Sequence, residues 1–476
     1  MKMSSFILAA VAGYSVLGLI SHAAGPIGLE DAVGLALQSN RSLRVLSMTV
    51  SSAELSLKGS RAEFTTGITP TGAADTSDDS DTVEWGVALT RKNTMGTSVS
   101  AGGTMGRDQI GTADPVHRAQ VNVQLQQPLL RNFGPLVNRE SVTRAEVRVA
   151  AARRDLELRR TDLVVQVVDS YEELLRLQKQ AEFDEQSVAR LERLIRLTRA
   201  REAQGRATRV DMLRVEQQHG DQQISLEKTL EALSNARADF ADLLGFDPDV
   251  VFEAVACPML DIEVPAQSVA EALAFSNRLD YAQVLQDYTD ARRGVRIAQR
   301  NLLPNLNLIS RYERSGSGAD TSEATALNDE SWFVGLSASS DLLLRQERVA
   351  LGQARIDVDA AAESVKIVES GIRRQIQQVI LTYRRVRSEV KASERNYQLA
   401  KNRAMLARRM FEMGRGDNFT ASDAEAGLFD AQNRMLISQA EASVAAYRLL
   451  RTLGTLTEYP ADLKPEAVKD RPPESP

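Results

Sequence analysis

The stretch QLQQPLLRNFGPLVN, from Gln124 to Asn138, begins by alternating polar and apolar residues and ends at the start of a long charged segment. A second stretch, SASSDLLLRQERVAL from Ser337 to Leu351, repeats the Leu-Leu-Arg step before another long charged segment. Alternation is typical of a strand with one apolar face, whereas the segments that follow carry apolar residues three or four apart, as helices do. The sequence therefore predicts the same strand-to-helix transition at two places.

The recurrence extends well beyond these two stretches and indicates an internal duplication. Seven residues return at one constant offset: Ala145, Gln166, Gly205, Arg206, Glu216, Leu244 and Gly245 match Ala354, Gln375, Gly414, Arg415, Glu425, Leu453 and Gly454. Upstream the offset shifts, so that Asn40-Arg41 matches Asn277-Arg278 and Arg131 matches Arg345. We predict a first repeat over residues 24–245, an irregular connector with three prolines over 246–268, a second repeat over 269–455 and a disordered tail over 456–476.

Strands with one apolar face are predicted at four places. Their alternating apolar residues are Trp85, Val87 and Leu89; Val121, Val123 and Leu125; Leu306, Leu308 and Tyr312; and Trp332, Val334, Leu336 and Ala338. Loops are expected at Thr71–Thr82 and Ser315–Glu330, where Ser, Thr, Gly and Asp dominate. The strand-like segment 81–106 has no partner in the second repeat. It either adds strands to a barrel or forms an external or equatorial hairpin, and the sequence leaves both open.

A very long helix is predicted after the strands of each repeat. The run from about Asn138 to Ala203 would be on the order of 100 Å long at 1.5 Å per residue. In the second repeat, an apolar stripe spaced three or four apart from Ala354 to Val390 contains no proline, and Gly371 is the one candidate break. Such helices cannot be the core of a compact globule, so we expect a rod or tube built from neighbouring helices.

Each long helix is expected to turn back at a short break. Gly205 can adopt the left-handed conformation that ends a helix, and Thr208 with Asp211 resembles a capping box for the next helix. Gly414 occupies the matching place in the second repeat, and Asp417 can cap the helix that follows it. Each repeat is therefore read as strand, long helix, tight turn and long helix.

The N-terminus has the features of an export signal. Lys2 precedes an apolar run from Phe6 to Ile20, and Ser21-His22-Ala23 has small residues where a signal peptidase needs them. We predict a signal peptide over residues 1–23; a membrane anchor is the alternative, although the run is shorter than the roughly 20 residues a spanning helix requires.

Several functional classes are disfavoured by composition. Cys257 is the only cysteine, so an intrachain disulfide is impossible, and three scattered histidines give no metal-ligand spacing. The net charge of -6 has both signs interspersed, so no nucleic-acid partner is expected. No phosphate loop, nucleophile elbow or acid/base constellation is recognisable, so we expect no enzyme and no cofactor.

The strands limit where the mature protein can reside. They could cover helices in a soluble α+β domain, but the helices between them are too long to fold back over a small sheet. A membrane β-barrel needs at least about eight strands if no edge is to stay unpaired in lipid. One chain offers four to six, so insertion into a membrane would require several chains to pool their strands.

These features together resemble one known family. QPLLRNFG after an alternating strand, GRATRVDMLRVE at a helical turn and the duplicated plan are similar to the outer-membrane efflux protein (TolC) family, over about Gly28 to Thr455. The resemblance implies a homotrimer in the outer membrane of a Gram-negative bacterium. Each chain would give four strands to one shared β-barrel, surrounded by outer-membrane lipid, and long helices to one α-helical coiled-coil barrel in the periplasm. A periplasmic adaptor protein and an inner-membrane transporter would be its partners.

The resemblance also assigns candidate site residues. The adaptor-docking turns would be Gly205, Arg206, Ala207 and Thr208 with Gly414, Arg415, Gly416 and Asp417. Asp211 and Asp423 match aspartates of the family's pore constriction, although the alternative for Asp211 is a capping carboxylate at the helix start. Where the family has an arginine and a tyrosine linking inner to outer helices, this chain has Gly416 and Phe411, which leaves Arg415 as a possible substitute.

Pro128, Arg131 and Arg345 would mark the junction of barrel and tunnel. Proline interrupts a strand ladder, and an arginine there could meet lipid headgroups or bond nearby backbone carbonyls; both readings remain open. The implied function is a passive exit duct for tripartite efflux or type I secretion, opened by adaptor and pump. The alternative from another class is an exported coiled-coil scaffold or adhesin without a channel.

Overall fold

The computed structural model describes residues 25–77, 80–111 and 113–465, so the predicted signal peptide lies outside the described residues. The described chain forms two compact units. The helical unit contains residues 25–47, 155–280 and 369–465, and the sheet unit contains residues 48–77, 80–111, 113–154 and 281–368. Each unit contains residues of both predicted repeats. Four helices contribute residues to both units.

The long helices are present where the periodicity predicts them. Helix α4 (Glu140–Ala203) has 64 residues and α9 (Arg345–Glu412) has 68, and α9 continues without a break through Gly371. The helices that follow the turns, α5 (Arg209–Leu244) and α10 (Asn418–Leu453), have 36 residues each. The other helices are α1 (Leu29–Ser39), α2 (Arg41–Ala62), α3 (Pro135–Asn138), α6 (Gln267–Asn277), α7 (Leu279–Asn301) and α8 (Thr321–Thr325).

Six strands of the sheet unit form one antiparallel sheet. They are β2 (Gly67–Thr76), β3 (Ser80–Lys92), β4 (Ser98–Ile110), β5 (Val116–Pro128), β7 (Asn305–Gly318) and β8 (Asp329–Ser339). Their order is β2-β3-β4-β5-β7-β8, with every neighbouring pair antiparallel. All four strands predicted from alternation are therefore confirmed, and residues of the two predicted repeats meet in this sheet where β5 pairs with β7.

Two predicted loops are corrected by this sheet, which has six strands, whereas the family resemblance implies that each chain gives four strands to a barrel. The loop predicted at Thr71–Thr82 is wrong, because β2 extends to Thr76 and β3 begins at Ser80. The second predicted loop is too long, since β7 reaches Gly318 and β8 starts at Asp329. Small polar residues suggest loops locally, but here the cross-strand ladder, which is not a local feature, decides their conformation.

The core of the helical unit packs α1, α4 and α5 around large apolar side chains. Its most buried members include Val167, Tyr171 and Leu174 of α4 with Phe240 and Leu244 of α5. The rings of Tyr171 and Phe240 lie 6.1 Å apart between centroids. Full burial of such side chains contributes about 1.5 to 3 kcal/mol each, so this cluster is a main source of stability for the unit.

The predicted connector is not entirely irregular. Its strand β6 (Glu253–Ala254) pairs in parallel with β1 (Pro26–Ile27). The hydroxyl of Tyr171 lies 2.9 Å from the carbonyl oxygen of Ile27 and accepts a hydrogen bond from the N–H of Val255 at 3.0 Å. Further along, the hydroxyl of Tyr383 accepts a bond from the N–H of Ile262 at 2.9 Å. One tyrosine on each long helix thus holds the connector in place.

The tail prediction is wrong for its first ten residues. Leu456, Tyr459 and Leu463 are buried, and Ala461–Leu463 forms a 3-10 helix. The hydroxyl of Tyr459 lies 2.8 Å from that of Thr161 on α4. These three apolar residues give the segment enough burial to fold despite its prolines. Residues 466–476 lie outside the described residues.

Among the described residues, no helix is both long enough and apolar enough to cross a membrane.

Candidate functional site

The first candidate site in the helical unit is the turn between α4 and α5. Gly205 has a φ of 71°, in the left-handed region that favours glycine. The N–H of Arg206 donates to the carbonyl oxygen of Arg201 at 2.8 Å, which satisfies one carbonyl of the last helical turn. Arg206 is exposed at the tip. The chain thus reverses with its arginine side chain facing outward.

The second turn, between α9 and α10, repeats this backbone geometry. Gly414 has a φ of 76°, and the N–H of Arg415 donates to the carbonyl oxygen of Met410 at 2.9 Å. Arg415 is also exposed. Both glycines predicted to end the long helices therefore do so, with the same six-residue hydrogen bond.

The two turns differ in how they cap the following helix. Thr208 and Asp211 form the predicted capping box: the Asp211 N–H donates to the Thr208 hydroxyl at 3.2 Å, and the Thr208 N–H donates to the Asp211 carboxylate at 3.0 Å. In the second turn, Asp417 alone caps α10 by accepting from the N–H of Thr420 at 2.8 Å. The first cap therefore depends on a pair of side chains and the second on one carboxylate.

Both capping carboxylates are held in the charged form. Hydrogen bonds from the Thr208 side chain and N–H lower the pKa of Asp211, and Arg214 adds to this effect while Asp417 opposes it. Hydrogen bonding to Thr420 lowers the pKa of Asp417 in the same way. At neutral pH the two turns thus present two negative charges near each other. The two charges repel each other, whereas the positive N-terminal ends of α5 and α10 stabilise both.

Direct side-chain contacts join the two turns within one chain. The buried Asn418, at the start of α10, donates to the carbonyl oxygen of Asp211 at 3.1 Å and accepts from the hydroxyl of Thr198 at 3.3 Å. The guanidinium of Arg201 lies 4.0 Å from the ring centroid of Phe411 and donates to the Phe411 carbonyl oxygen. These contacts fix the end of α4 against the end of α9 and the start of α10.

Phe411, which stands where the family has a tyrosine, has Arg201 as its cationic partner. Phe411 is buried, with 1% of its surface exposed, and Arg201 covers its ring. Arg415, which the sequence left as a substitute for the missing arginine, is exposed at the tip. Sequence reasoning missed Arg201 and Asn418, because both act through partners on other helices and no local pattern marks them.

A buried carboxylate next to these turns was also missed. Glu425 of α10 is 8% exposed and accepts from Arg190 of α4 at 2.9 Å and from Arg408 of α9. A cavity of about 390 Å³ opens beside it, and Arg193 and Arg196 complete its basic lining. The recurrence of Glu216 as Glu425 was the available signal, although it did not indicate burial.

Asp211 and Asp423, the predicted constriction residues, lie in different surroundings. Asp211 is half-buried and its carboxylate belongs to the capping box. Asp423 is exposed and forms an ion pair with Arg403. The capping alternative for Asp211 is thus what the chain displays, and it leaves the carboxylate charged and accessible.

The strand-to-helix junctions in the sheet unit contain the third group of predicted residues. Pro128 ends β5, and Arg131 pairs with the Glu347 carboxylate at 3.3 Å. Arg345 is the first residue of α9 and is exposed. It follows Leu344, whose φ of 46° is unusual for a leucine. The ion pair joins the α9 start to the segment after β5.

In residues 25–77, 80–111 and 113–465, no group of three or more His, Cys, Asp or Glu side chains is arranged to hold a metal ion.

Comparison with known families decides the identity. A model described as outer membrane efflux protein matches residues 32–246 and 271–455, most of the chain. The chain belongs to this family. It is therefore an outer-membrane efflux channel with a part that extends into the periplasm, and its family is one of channels, not of enzymes.

Individual relatives agree with this assignment. The outer membrane efflux protein BepC of Brucella suis biovar 1 (strain 1330) is 27% identical over 372 residues, which cover 74% of this chain and 77% of BepC. The outer membrane protein VceC of Vibrio cholerae is 16% identical with a TM-score of 0.69, over 90% of this chain and 96% of VceC. The open state of the MtrE channel of Neisseria gonorrhoeae is 13% identical with a TM-score of 0.67, over 90% and 89%. The two solved structures establish a shared fold.

Proposed function

We propose that the protein is the exit duct of a tripartite efflux or type I secretion system and acts as a homotrimer. The observation that carries this proposal is the match of one channel family to both halves of the chain, at residues 32–246 and 271–455. A sheet with an apolar face and long paired helices supports it, because these are the parts a membrane barrel and a periplasmic tunnel require. The alternative of an exported scaffold without a channel has no support from the relatives.

An internal duplication would give this trimer quasi-sixfold symmetry in its helical part. Matching features support the duplication: α5 and α10 have equal length, Gly205 and Gly414 both have positive φ, and each turn is followed by a capped helix. Gly245 and Gly454, which end α5 and α10, are also both in the left-handed region. Two similar hairpins per chain would then alternate around the tunnel.

The helical turns are the proposed docking surface for the periplasmic adaptor. Arg206 and Arg415 are exposed at their tips, and an added Cβ at Gly205 or Gly414 would meet no atom within 4 Å apart from the chain neighbours. An adaptor presenting acidic or carbonyl groups would meet two arginines per chain, arranged by the same backbone turn. An inner-membrane transporter would supply the energy, since a passive duct has none of its own.

Asp211 and Asp423 are the proposed lining of the closed entrance. Threefold symmetry would bring like carboxylates together, where they repel one another, attract cations and respond to divalent ions. The capping role of Asp211 is compatible with this, because a capping carboxylate keeps its charge. Adaptor binding at the neighbouring turns would move the two helix starts and thereby widen the entrance.

Single-channel conductance of the detergent-extracted oligomer in planar bilayers tests the proposal. We expect particles of three copies with a small cation-selective conductance that divalent ions reduce. Combined Asp211→Ala and Asp423→Ala substitution is expected to enlarge the conductance or remove the divalent block, while Asp221→Ala, on the exposed surface of α5, leaves both unchanged. Oligomers that never conduct contradict the duct, whereas a conducting trimer unaffected by the double substitution contradicts only the assignment of the two aspartates.

A further inference from the structure

The two repeats contribute unequally to the sheet, and this inequality has a structural consequence for the proposed trimer. The first repeat supplies four strands, β2 to β5, while the second supplies two, β7 and β8. All six belong to one continuous antiparallel sheet, in which β2 and β8 are the outer strands. The additional strands of the first repeat, β2 and β3, are therefore hydrogen-bonded into the same sheet as the other four.

One apolar face extends across all six strands. The registers place one exposed apolar side chain from each strand on this face: Ile68, Val87, Val99, Val121, Tyr312 and Trp332. The opposite face carries mainly polar and small residues, among them Thr71, Glu84, Ser100, Asn122, Arg311 and Ser337, although Ile309 and Phe333 also lie on it. In a hairpin that folded away from the membrane, an apolar face that continues that of the neighbouring strands would not contact lipid. Strands β2 and β3 therefore have the pattern of strands that contact lipid on one side and water on the other.

The additional strands are also fixed at the base of the sheet. In the turn between β3 and β4, the carbonyl oxygen of Met95 accepts from the N–H of Gly134 at 3.1 Å, in the segment after β5. Gly96 has a φ of 94° and packs so closely that an added Cβ would lie 2.7 Å from the Asn132 carbonyl oxygen. Lys92, at the end of β3, pairs with Glu63 at 3.0 Å. This turn is built into the strand-to-helix junction.

The two outer strands have the directions and lengths needed for the edge of one copy to pair with the edge of another. Five successive antiparallel pairings mean that β2 and β8 run in opposite directions, and their lengths, 10 and 11 residues, are nearly equal. The β8 edge of one copy can therefore pair with the β2 edge of the next copy and continue the antiparallel alternation. In an outer membrane each unpaired backbone N–H or carbonyl in the hydrocarbon region is costly, so both edges need such a partner.

We propose that each copy contributes all six strands and that the β8 edge binds the β2 edge of a second copy. In the trimer of the proposed function, on which this inference rests, six strands from each of three copies close an eighteen-stranded barrel. The family resemblance would give twelve. Barrels of about 16 to 18 strands enclose an aqueous channel, so the membrane part of this duct is wider than that of a twelve-stranded relative.

Disulfide cross-linking between the edges distinguishes the two barrels. The test uses full-length protein with Cys257→Ser, so that only introduced cysteines are present. Val334→Cys on β8 is combined in turn with Ile68→Cys, Pro70→Cys, Gly72→Cys or Ala74→Cys on β2, which scans the register along the apolar face. A parallel series combines Val334→Cys with Ala101→Cys or Gly103→Cys on β4. If β2 and β3 were outside the barrel, β4 would be the outer strand and would meet β8.

After oxidation in native membranes, we expect covalent dimers and trimers from at least one β8–β2 combination, and their loss on reduction. Single-cysteine variants and the β8–β4 series should remain monomeric on denaturing gels. Cross-links between β8 and β4 would overturn the inference and support the narrower barrel. A three-copy particle in detergent that cross-links in neither series would also overturn it while leaving the proposed trimer intact; single chains in detergent would contradict the proposed function itself.

Discussion

The helix pairs α4–α5 and α9–α10 have the same plan but use it differently. Arg199 and Glu216 pair at 3.4 Å in the first, and the residues at the matching positions, Arg408 and Glu425, pair in the second. The first pair is largely exposed, with 39% of the Glu216 side chain accessible, whereas Glu425 is 9% accessible because Arg190 of α4 also covers it. The same contact is thus a surface ion pair in one half and part of a buried charge cluster in the other.

A second matched contact shows the opposite distribution of charge. On α4 and α5, the Thr229 hydroxyl donates to the carboxylate of Asp184 at 2.7 Å; at the matching positions, the hydroxyls of Ser393 and Ser438 lie 2.5 Å apart. The side chains of Asp184, Ser393 and Ser438 are all buried. The comparison shows that the same positions touch in the two halves, while the charge and burial at those positions differ. Each half therefore carries one buried acidic group that the other lacks.

The largest expected difference between the halves concerns the two glutamates. Glu425→Ala leaves Arg190 and Arg408 without their shared partner, and breaking a buried charge pair costs about 3 to 5 kcal/mol. The matched variant Glu216→Ala removes an exposed pair, which contributes at most about 1 kcal/mol. Thermal and denaturant unfolding of the detergent-extracted variants measures both. Equal losses from the two substitutions would show that burial does not separate these sites.

The contact between the turns is expected to have the next largest effect. Asn418→Ala removes a donor to the Asp211 carbonyl and an acceptor for Thr198, and unsatisfied buried groups cost about 1 to 3 kcal/mol. The matching position in the first half is Arg209, which is exposed, so Arg209→Ala should change the free energy of unfolding by no more than about 0.5 kcal/mol. Hydrogen exchange at the start of α10 provides a local readout. Unchanged exchange in Asn418→Ala would mean that the two turns are not joined through this residue.

The two caps should differ more in how their contribution to stability depends on pH than in the size of that contribution. Thr208→Ala removes the neutral half of the capping box and is expected to cost about 1 kcal/mol. Asp417→Thr gives the second turn a neutral cap, with little change near neutral pH. Because hydrogen bonds lower the pKa of Asp417, its contribution is present above the ordinary carboxyl pKa and is lost as pH falls through the folded-state value.

Unfolding followed from neutral to acidic pH tests this sign. Asp417→Thr should lose less stability in acid than the unaltered protein. Asp211 provides the remaining acid sensitivity of the turns, because its pKa is also lowered. If Asp417→Thr lost more stability between neutral and acidic pH than the unaltered protein, the assignment of Asp417 as a charged cap would be contradicted.

The smallest expected change near neutral pH is at Asp184. Burial raises the pKa of this carboxyl, although hydrogen bonds from Thr229, Gln180 and Gln222 oppose the rise. A raised folded-state pKa means that its favourable contribution is present below the ordinary carboxyl pKa and is lost as pH rises through the folded value. In Asp184→Asn, the loss of a charged acceptor and the relief of desolvation oppose each other, so stability should change little at neutral pH.

The pH profile is the informative measurement for Asp184→Asn. Its stability should be flatter than that of the unaltered protein over the mildly acidic range. The matched variant Ser393→Ala should shift stability by the same amount at every pH, because no titrating group is removed. If Asp184→Asn and the unaltered protein have parallel profiles, the carboxyl does not titrate in that range.

Much of this fold can be predicted from the sequence because its determinants are local. The three-to-four spacing along α9, the glycines at 205 and 414 and the capping residues at 208 and 417 act within a few residues of one another. The missed features depend on distant partners. Strand β2 is paired by β3 although its residues resemble a loop, and Arg201 acquires its role only where Phe411 of another helix lies under its guanidinium.

The central claim is that the helical turns form the narrow entrance of a conducting trimer, and a reversible lock at the second turn tests it most directly. The measurement is single-channel conductance of an Asp423→Cys variant, with Cys257→Ser, before oxidation, after oxidation and after reduction. We expect covalent dimers after oxidation, a lower conductance and full recovery on reduction. Covalent dimers whose conductance equals that of the reduced protein would contradict an entrance at these turns.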